Sequence, residues 1–344
     1  MNDVHVPRPP VNMEDVARRA GVSIATVSRA VRGLPGVSPG TRDRVLGIVE
    51  ELDYVVSPAA SALRGATRRV AVVLPRLDSW FSSTMLATAQ TTLRAADLDV
   101  LLYQVGDRHA RTRFFRELPA RRKVDAVYLV ALPMSVEEEE RLDLMGVEVV
   151  VAGSRLRDFP SVAVDDVDIG RVATEHLIGL GHTRIGMIRT SDTEGAGYAS
   201  DRHRREGYIA AMAAHGLGPE PGLIVTGPYG VRAGVEGVRE LLELDDPPTA
   251  IFCYSDDIAV SARHALLERG LRVPEDVSLI GVDGHDLGML FGITTIDQHV
   301  VDQARAAGEM VIGLLAGQQP ETPQLLVDAH LVVRTSTAPP PPRP

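Results

Sequence analysis

Six side chains between Ser23 and Arg29 form a pattern with a definite chemistry. In the segment SIATVSR, Arg29 carries a fork of donors able to bond bidentately to guanine O6 and N7, and Ile24 and Ala25 can pack on thymine methyl groups. Ser23, Thr26 and Ser28 add hydroxyls among them. Covalent chemistry is poorly represented elsewhere. Gly36-Val37-Ser38-Pro39-Gly40 satisfies the nucleophile-elbow pattern G-x-S-x-G, yet that motif needs a buried strand before the serine, and Pro39 makes Ser38 a helix cap. No Walker A, HExxH or complete GxGxxG string occurs, and His176, His182, His264 and His285 lack metal-ligand spacing. No cofactor, metal or catalysis is therefore expected.

For Arg29 to reach a partner it must sit on the outer face of a helix, and the flanking residues provide one. Asn12 is placed to cap MEDVARRA, with Asp15 in the capping-box position, and Gly21 breaks that run. Ser23 caps IATVSRAV, which Gly33, Pro35 and Gly36 terminate. Ser38 and Pro39 open a third helix whose Val45, Ile48, Val49 and Leu52 share a face. Val27, Ala30 and Val31 point inward at helical spacing, so Ile24, Ala25, Ser28 and Arg29 point outward. A helix, a tight glycine turn and a second helix of this length is the arrangement that lays the second helix in the major groove of DNA. By pattern alone, the alternative is a small helical bundle with an exposed arginine.

The chain of 344 residues is long enough for two or three folding units. After a small-residue segment, SPAASALRGATRR, strands alternate with helices twice over, from RRVAVVL to VEVVVAG and again from RIGMIRT to VSLIGVDG. Two such series imply two lobes of parallel, doubly wound sheet with a cleft off the carboxyl ends of the strands. Trp80 and Phe81 follow the first strand, where they would reach that cleft and stack on a sugar face or a base, or else plug the lobe interface. A net charge of −10 speaks against nucleic acid until it is divided: residues 1–68 hold nine arginines against seven acids, leaving −12 for the remainder. An acidic body behind a mildly basic head orients the head toward phosphate. A single cysteine, Cys253, no apolar leader and no run of roughly 18 to 20 apolar residues fit a cytoplasmic protein that does not span a membrane.

The stretch MEDVARRAGVSIATVSRAVRGLPGVSPGTRDRVLGIVEELDY resembles the headpiece of the lactose-repressor and galactose-repressor (LacI/GalR) family, in which DVA, AGVS, TVSR, VS, TR and a closing Tyr recur at these spacings. The resemblance implies that Ile24, Ala25 and Arg29 read base edges, while Ser23, Thr26 and Ser28 support the helix or touch phosphates. It also implies a hinge helix in which Leu63 wedges into the central base step, with Arg64 beside it. Two departures are visible: Arg32 stands where the family has Asn, and Pro58 lies two residues late. Behind the hinge, VDAVYLV, TEHLIGLGHTRIGMI, DRHRREGYIAAM, SDDIAVSARHAL, VSLIGVDG and ITTIDQ resemble the family's sensor, itself similar to periplasmic sugar-binding proteins. Arg202, Ser255, Asp283 and Gln298 fall at positions that contact the family's effector, and their chemistry suits a polyol. Ser255 replaces the usual asparagine, so no particular effector is implied.

The expected organisation is an all-α helix-turn-helix headpiece (1–56), a hinge (57–68) and a two-lobed periplasmic-binding-protein-like α/β sensor (69–336), followed by a disordered proline-rich tail (337–344). The amino-terminal lobe should comprise about 69–167 and 299–324, the carboxyl-terminal lobe about 168–298 and 325–336. The function expected is a transcription repressor that binds a pseudo-palindromic operator as a homodimer and answers to a small molecule, a sugar or nucleoside. A ligand-binding protein that never touches DNA is the rival reading.

Overall fold

The computed structural model describes residues 13–31, 36–52, 68–121, 124–132, 134–143, 146–156, 159–191, 198–218, 220 and 222–342. The chain divides into two compact units, Met1–Thr67 and Arg68–Pro344.

The first unit contains α1 (Met13–Ala20), α2 (Ile24–Val31) and α3 (Pro39–Glu51). Its core is small: Val16, Ala17, Ala20, Val27, Ala30 and Val45 are buried, and Val22, Ile48, Val49 and Leu52 pack against them. Two of the three expected caps form, and the third, Asn12, lies outside the described residues. Ser23 Oγ accepts from Thr26 N at 3.1 Å. Ser38 Oγ accepts from Thr41 N at 3.3 Å, so the serine of the nucleophile-elbow pattern is a helix cap.

The second unit begins with five strands and their helices: β1 (Arg69–Leu74), α4 (Trp80–Ala95), β2 (Asp99–Gln104), α5 (Arg108–Arg121), β3 (Ala126–Val130), α6 (Val136–Asp143), β4 (Glu148–Ala152) and β5 (Ser161–Ala163). It continues with α7 (Asp166–Gly179), β6 (Ile185–Thr190), α8 (Ala199–Ala214), β7 (Ile224–Gly227), α9 (Val231–Leu242), β8 (Ala250–Cys253), α10 (Asp256–Glu268), β9 (Ser278–Asp283), α11 (Asp286–Leu290) and β10 (Thr294–Asp297). Last come α12 (Val300–Leu315), β11 (Gln324–Leu326) and β12 (His330–Val332).

These strands make two six-stranded sheets, ordered β11-β5-β4-β3-β1-β2 and β12-β10-β9-β8-β6-β7. The near-continuous apolar runs are explained by burial on both faces. In β1, Val70, Val72 and Leu74 pack with α4 and α12, while Ala71 and Val73 pack toward Phe114, Phe115 and Leu142 on the other side. Among the described residues all pairings are parallel except one: β12 runs antiparallel to β10, with Asp297 opposite His330.

The chain crosses between the lobes after β5, after β10 and after β11. The last crossing follows Leu326, two residues beyond the expected boundary at 324, because Gln324–Leu326 still pairs with Ser161–Ala163. The expectation of a disordered tail from 337 is also corrected. Ala338 N donates to Ser278 Oγ at 3.0 Å and its carbonyl meets His182 Nε2 at 2.9 Å, so these residues are hydrogen-bonded to buried polar groups of the second lobe. Among the described residues no helix is long and apolar enough to cross a membrane.

Candidate DNA-reading helix and ligand cleft

On α2, the residues that seat the helix and those that face outward separate cleanly. Val27 and Ala30 are 0% and 1% exposed, whereas Ile24 is 45% exposed. Ser23, Ala25 and Arg29 are exposed too, and Thr26 is half-buried. This face thus presents apolar surface beside a long cation, the combination that base-edge contact in a groove would use. The Ser23 and Thr26 hydroxyls lie 2.8 Å apart, so both hold the helix start. Ser28 lies on this helix. Leu63 and Arg64 fall outside the described residues.

A cleft opens between the two lobes of the second unit, enclosing about 680 Å³ when its solvent-open space is counted. Its walls come from the carboxyl ends of the parallel strands, as expected of doubly wound sheets. Pro75, Ser79, Phe81, Ser82, Ala131 and Gly153 line it from the first lobe. Thr190, Tyr198, Ser200, Arg204, Tyr229, Tyr254, Ser255, Asp257, Asp283 and Gln298 line it from the second. Gly153 is required where it stands: its φ is +74°, and a Cβ there would lie 2.5 Å from Phe81 Cζ.

Of the expected ligand contacts, Phe81, Ser255, Asp283 and Gln298 line the cleft, and Arg202 and Trp80 do not. Arg202 is exposed on the outer side of α8, and Arg204, 3% exposed, enters the cleft wall in its place. Two residues advance a helix by about 200°, so these arginines must face opposite ways. The sequence carries a signal for this: the buried face of α8 is Asp201, Arg204, Tyr208 and Ala211, and helical spacing back from Tyr208 reaches 204. Trp80 stacks instead on His285 of the second lobe, ring centroids 4.8 Å apart. Its neighbour Arg76 lies over the Tyr229 ring at 4.5 Å. Both contacts tie one lobe to the other across the mouth of the cleft. The three tyrosines escaped sequence reasoning because they sit in loops or at helix starts without periodicity.

The polar groups are held in a chain of mutual contacts. Arg204 Nε donates to Asp166 Oδ1 at 2.8 Å, its Nη1 to the Tyr254 carbonyl at 2.7 Å, and its guanidinium covers the Tyr254 ring at 4.7 Å. Burial works against that charge, but the Asp166 carboxylate with Tyr254 and Asp283 outweighs it, and Arg204 is held firmly protonated. Gln298 Nε2 donates to Asp283 Oδ1 at 2.6 Å. Asp283 has φ +132°, a strained backbone for a side-chain-bearing residue, and such strain concentrates at functional sites. Burial and the neighbouring Asp256 carboxylate push its carboxyl well above the usual range. Burial likewise pushes Asp256 up to about 7. Ser255 Oγ caps α10 through Ile258 N at 3.4 Å, and Ser200 Oγ meets the Tyr254 hydroxyl at 2.9 Å. Thr190 Oγ1 is buried in the cleft wall with no hydrogen-bond partner among the described residues. No cluster of three His, Cys, Asp or Glu side chains that could hold a metal occurs among the described residues.

Two family models match this chain. Residues 12–57 match the bacterial regulatory proteins of the lacI family, and residues 174–337 match a periplasmic binding protein-like domain. The chain is 30% identical over 330 residues to the HTH-type transcriptional repressor CytR of Escherichia coli (strain K12), covering 94% of this chain and 96% of that one. It is 31% identical over 297 residues to catabolite control protein A of Priestia megaterium, covering 85% and 89%. Among solved structures, the lac repressor dimer bound to operator and the anti-inducer ONPF superposes with TM-score 0.81 at 25% identity, covering 96% of this chain and 100% of that one. A complex of the transcriptional regulator CelR with cellobiose superposes with TM-score 0.71 at 29% identity and the same coverage. With a helix-turn-helix headpiece joined to a two-lobed α/β sensor, and relatives that are transcription regulators rather than enzymes, this chain belongs to the LacI family of bacterial transcription regulators.

Proposed function

We propose that the chain is an operator-binding repressor of the cytoplasm whose α2 enters the major groove and whose cleft holds a sugar or nucleoside effector. The observation that carries the DNA reading is the outward display of Ile24, Ala25 and Arg29 on a helix whose other side is fully buried. Arg29 bonds a guanine edge, Ile24 and Ala25 pack on thymine methyls, and Ser23, Thr26 and Ser28 secure the helix start or touch phosphate. Leu63 and Arg64 act in the minor groove between paired hinge segments. Effector contacts are assigned to Phe81, Arg204, Ser255, Asp283 and Gln298, with Thr190 offering an unused hydroxyl. Arg202 is withdrawn from that set for the reason of helical geometry given above, and Trp80 is reassigned to the lobe interface.

The active form is a homodimer. Leu287, Met289, Leu290 and Phe291, on and just after α11, are 41–73% exposed, an apolar strip suited to burial against its twofold mate. Binding to a duplex selected from a random pool, titrated against salt, tests the proposal. Neutralising phosphates demands a steep inverse salt dependence. An affinity flat in salt would instead favour a ligand-binding protein with no DNA partner. Leu63→Ala should weaken operator binding and leave effector affinity unchanged; equal operator binding would remove the wedge.

A further inference from the structure

The charges around the cleft restrict what it can hold. One guanidinium lines it, Arg204, and Asp166 matches it. The two arginines next to lining residues in sequence, Arg76 and Arg189, are matched as well, by both oxygens of Asp78 and by Asp201. Two carboxylates in the wall, Asp257 and Asp283, have no such ion pair among the described residues. Asp283 is held by the neutral amide of Gln298. Asp257 Oδ1 faces His285 Nε2 at 3.5 Å, and burial moves that imidazole toward its neutral form.

Building on the cleft assigned above, we infer that its ligand is an uncharged, unphosphorylated polyhydroxylated molecule with one apolar face, a glycoside or nucleoside, and that phosphorylated forms are excluded. A phosphate would meet carboxylates with no unpaired cation to offset them among the described lining residues. Even with one proton shared between Asp256 and Asp283, negative groups outnumber free positive ones. The amino ends of α4 and α9 open here without acids in their first turns, but a fraction of a charge at each does not offset full carboxylates. They serve better as amide donors to hydroxyls.

Neutral hydroxyls find what they need: acceptors on Asp257 and Asp283, and a free hydroxyl on Thr190. Charge alone would also admit a cation. Of the four rings in the lining, Tyr229 and Tyr254 are already covered by Arg76 and Arg204 at 4.5 and 4.7 Å, which leaves Phe81 and Tyr198 to pack on the apolar face of a neutral ligand.

The test titrates the full chain with matched pairs, adenosine and adenosine 5′-monophosphate, uridine and its monophosphate, cellobiose and cellobiose 6-phosphate, read by calorimetry and melting temperature. Inorganic phosphate is titrated separately against chloride at equal ionic strength. A neutral member should bind and its phosphate bind at least about 100-fold more weakly, the penalty for one like charge at roughly 6 Å with an effective dielectric of about 20. Inorganic phosphate should do no more than chloride. In Asp257→Asn, a half-buried site that should tolerate the change, the ratio should narrow about tenfold or more. A phosphorylated member that binds as tightly as its neutral partner, or inorganic phosphate that stabilises beyond chloride, overturns the inference and leaves the sensor reading standing. Silence from every organic compound counts against the sensor reading itself, and the phosphate titration still decides the charge question.

Discussion

Replacing Arg204 by glutamine tests the central strut of the cleft. The guanidinium is 3% exposed and the Asp166 it bonds 9% exposed, so the pair is screened little by water. Glutamine removes the charge and is too short to reach both Asp166 and the Tyr254 carbonyl. Breaking a buried ion pair from one side costs about 3–5 kcal/mol, most of it from the charge left behind. For a unit of this size that lowers the melting temperature by roughly 6–20 °C. Urea unfolding of Arg204→Gln, Asp166→Asn and the double variant provides the measurement. The double variant should lose less than the sum of the two, with a coupling toward the top of the usual range of about 0.5–3 kcal/mol. Arg202→Gln is the internal control: as an exposed residue it should change stability by no more than about 0.5 kcal/mol. Equal and small effects at 202 and 204, or strict additivity with Asp166→Asn, would refute the assignment of Arg204 to the wall.

Three further outcomes are expected. Arg29→Ala should relax sequence preference at one guanine by about 1–3 kcal/mol, and uniform weakening across all duplexes would show instead that Arg29 touches phosphate. Because Trp80 stacks on His285, its emission should report the angle between the lobes, and His285→Ala should red-shift it without ligand; an unaltered spectrum would place the indole elsewhere. Asp256, whose carboxyl burial raises from 3.8 to about 7, favours the protonated folded state, so its contribution is present below pH 3.8 and lost as pH rises through about 7. The melting temperature of Asp256→Asn relative to the unsubstituted protein should therefore climb between pH 4 and 8; a difference independent of pH would show that Asp256 ionises normally.

Much of this molecule is determined by local chemistry. Caps, glycine breaks and a 3.6-residue period specify α1 and α2 at the observed bounds and send Ile24, Ala25 and Arg29 to the outer face. Apolar strand runs separated by amphipathic helices specify two parallel sheets, since only strands covered on both sides read that way. Phe81 could be placed at the cleft because it follows the first strand, whereas Ser255, Asp283 and Gln298 are placed there by the resemblance to the family's sensor.

What the tertiary structure decided is what depends on the meeting of distant segments. Arg204 rather than Arg202 faces the cleft because α8 packs against α7 through Gly207, where a Cβ would lie 2.0 Å from the Val167 carbonyl. Trp80 meets His285, and Arg76 meets Tyr229, only once the two lobes stand opposite each other. The tail, low in complexity by composition, is held by its hydrogen bonds to the buried Ser278 and His182. Sequence period sets which face of an element is apolar; which polar side chain completes another's hydrogen bonds is set by the fold, because that partner lies tens to hundreds of residues away.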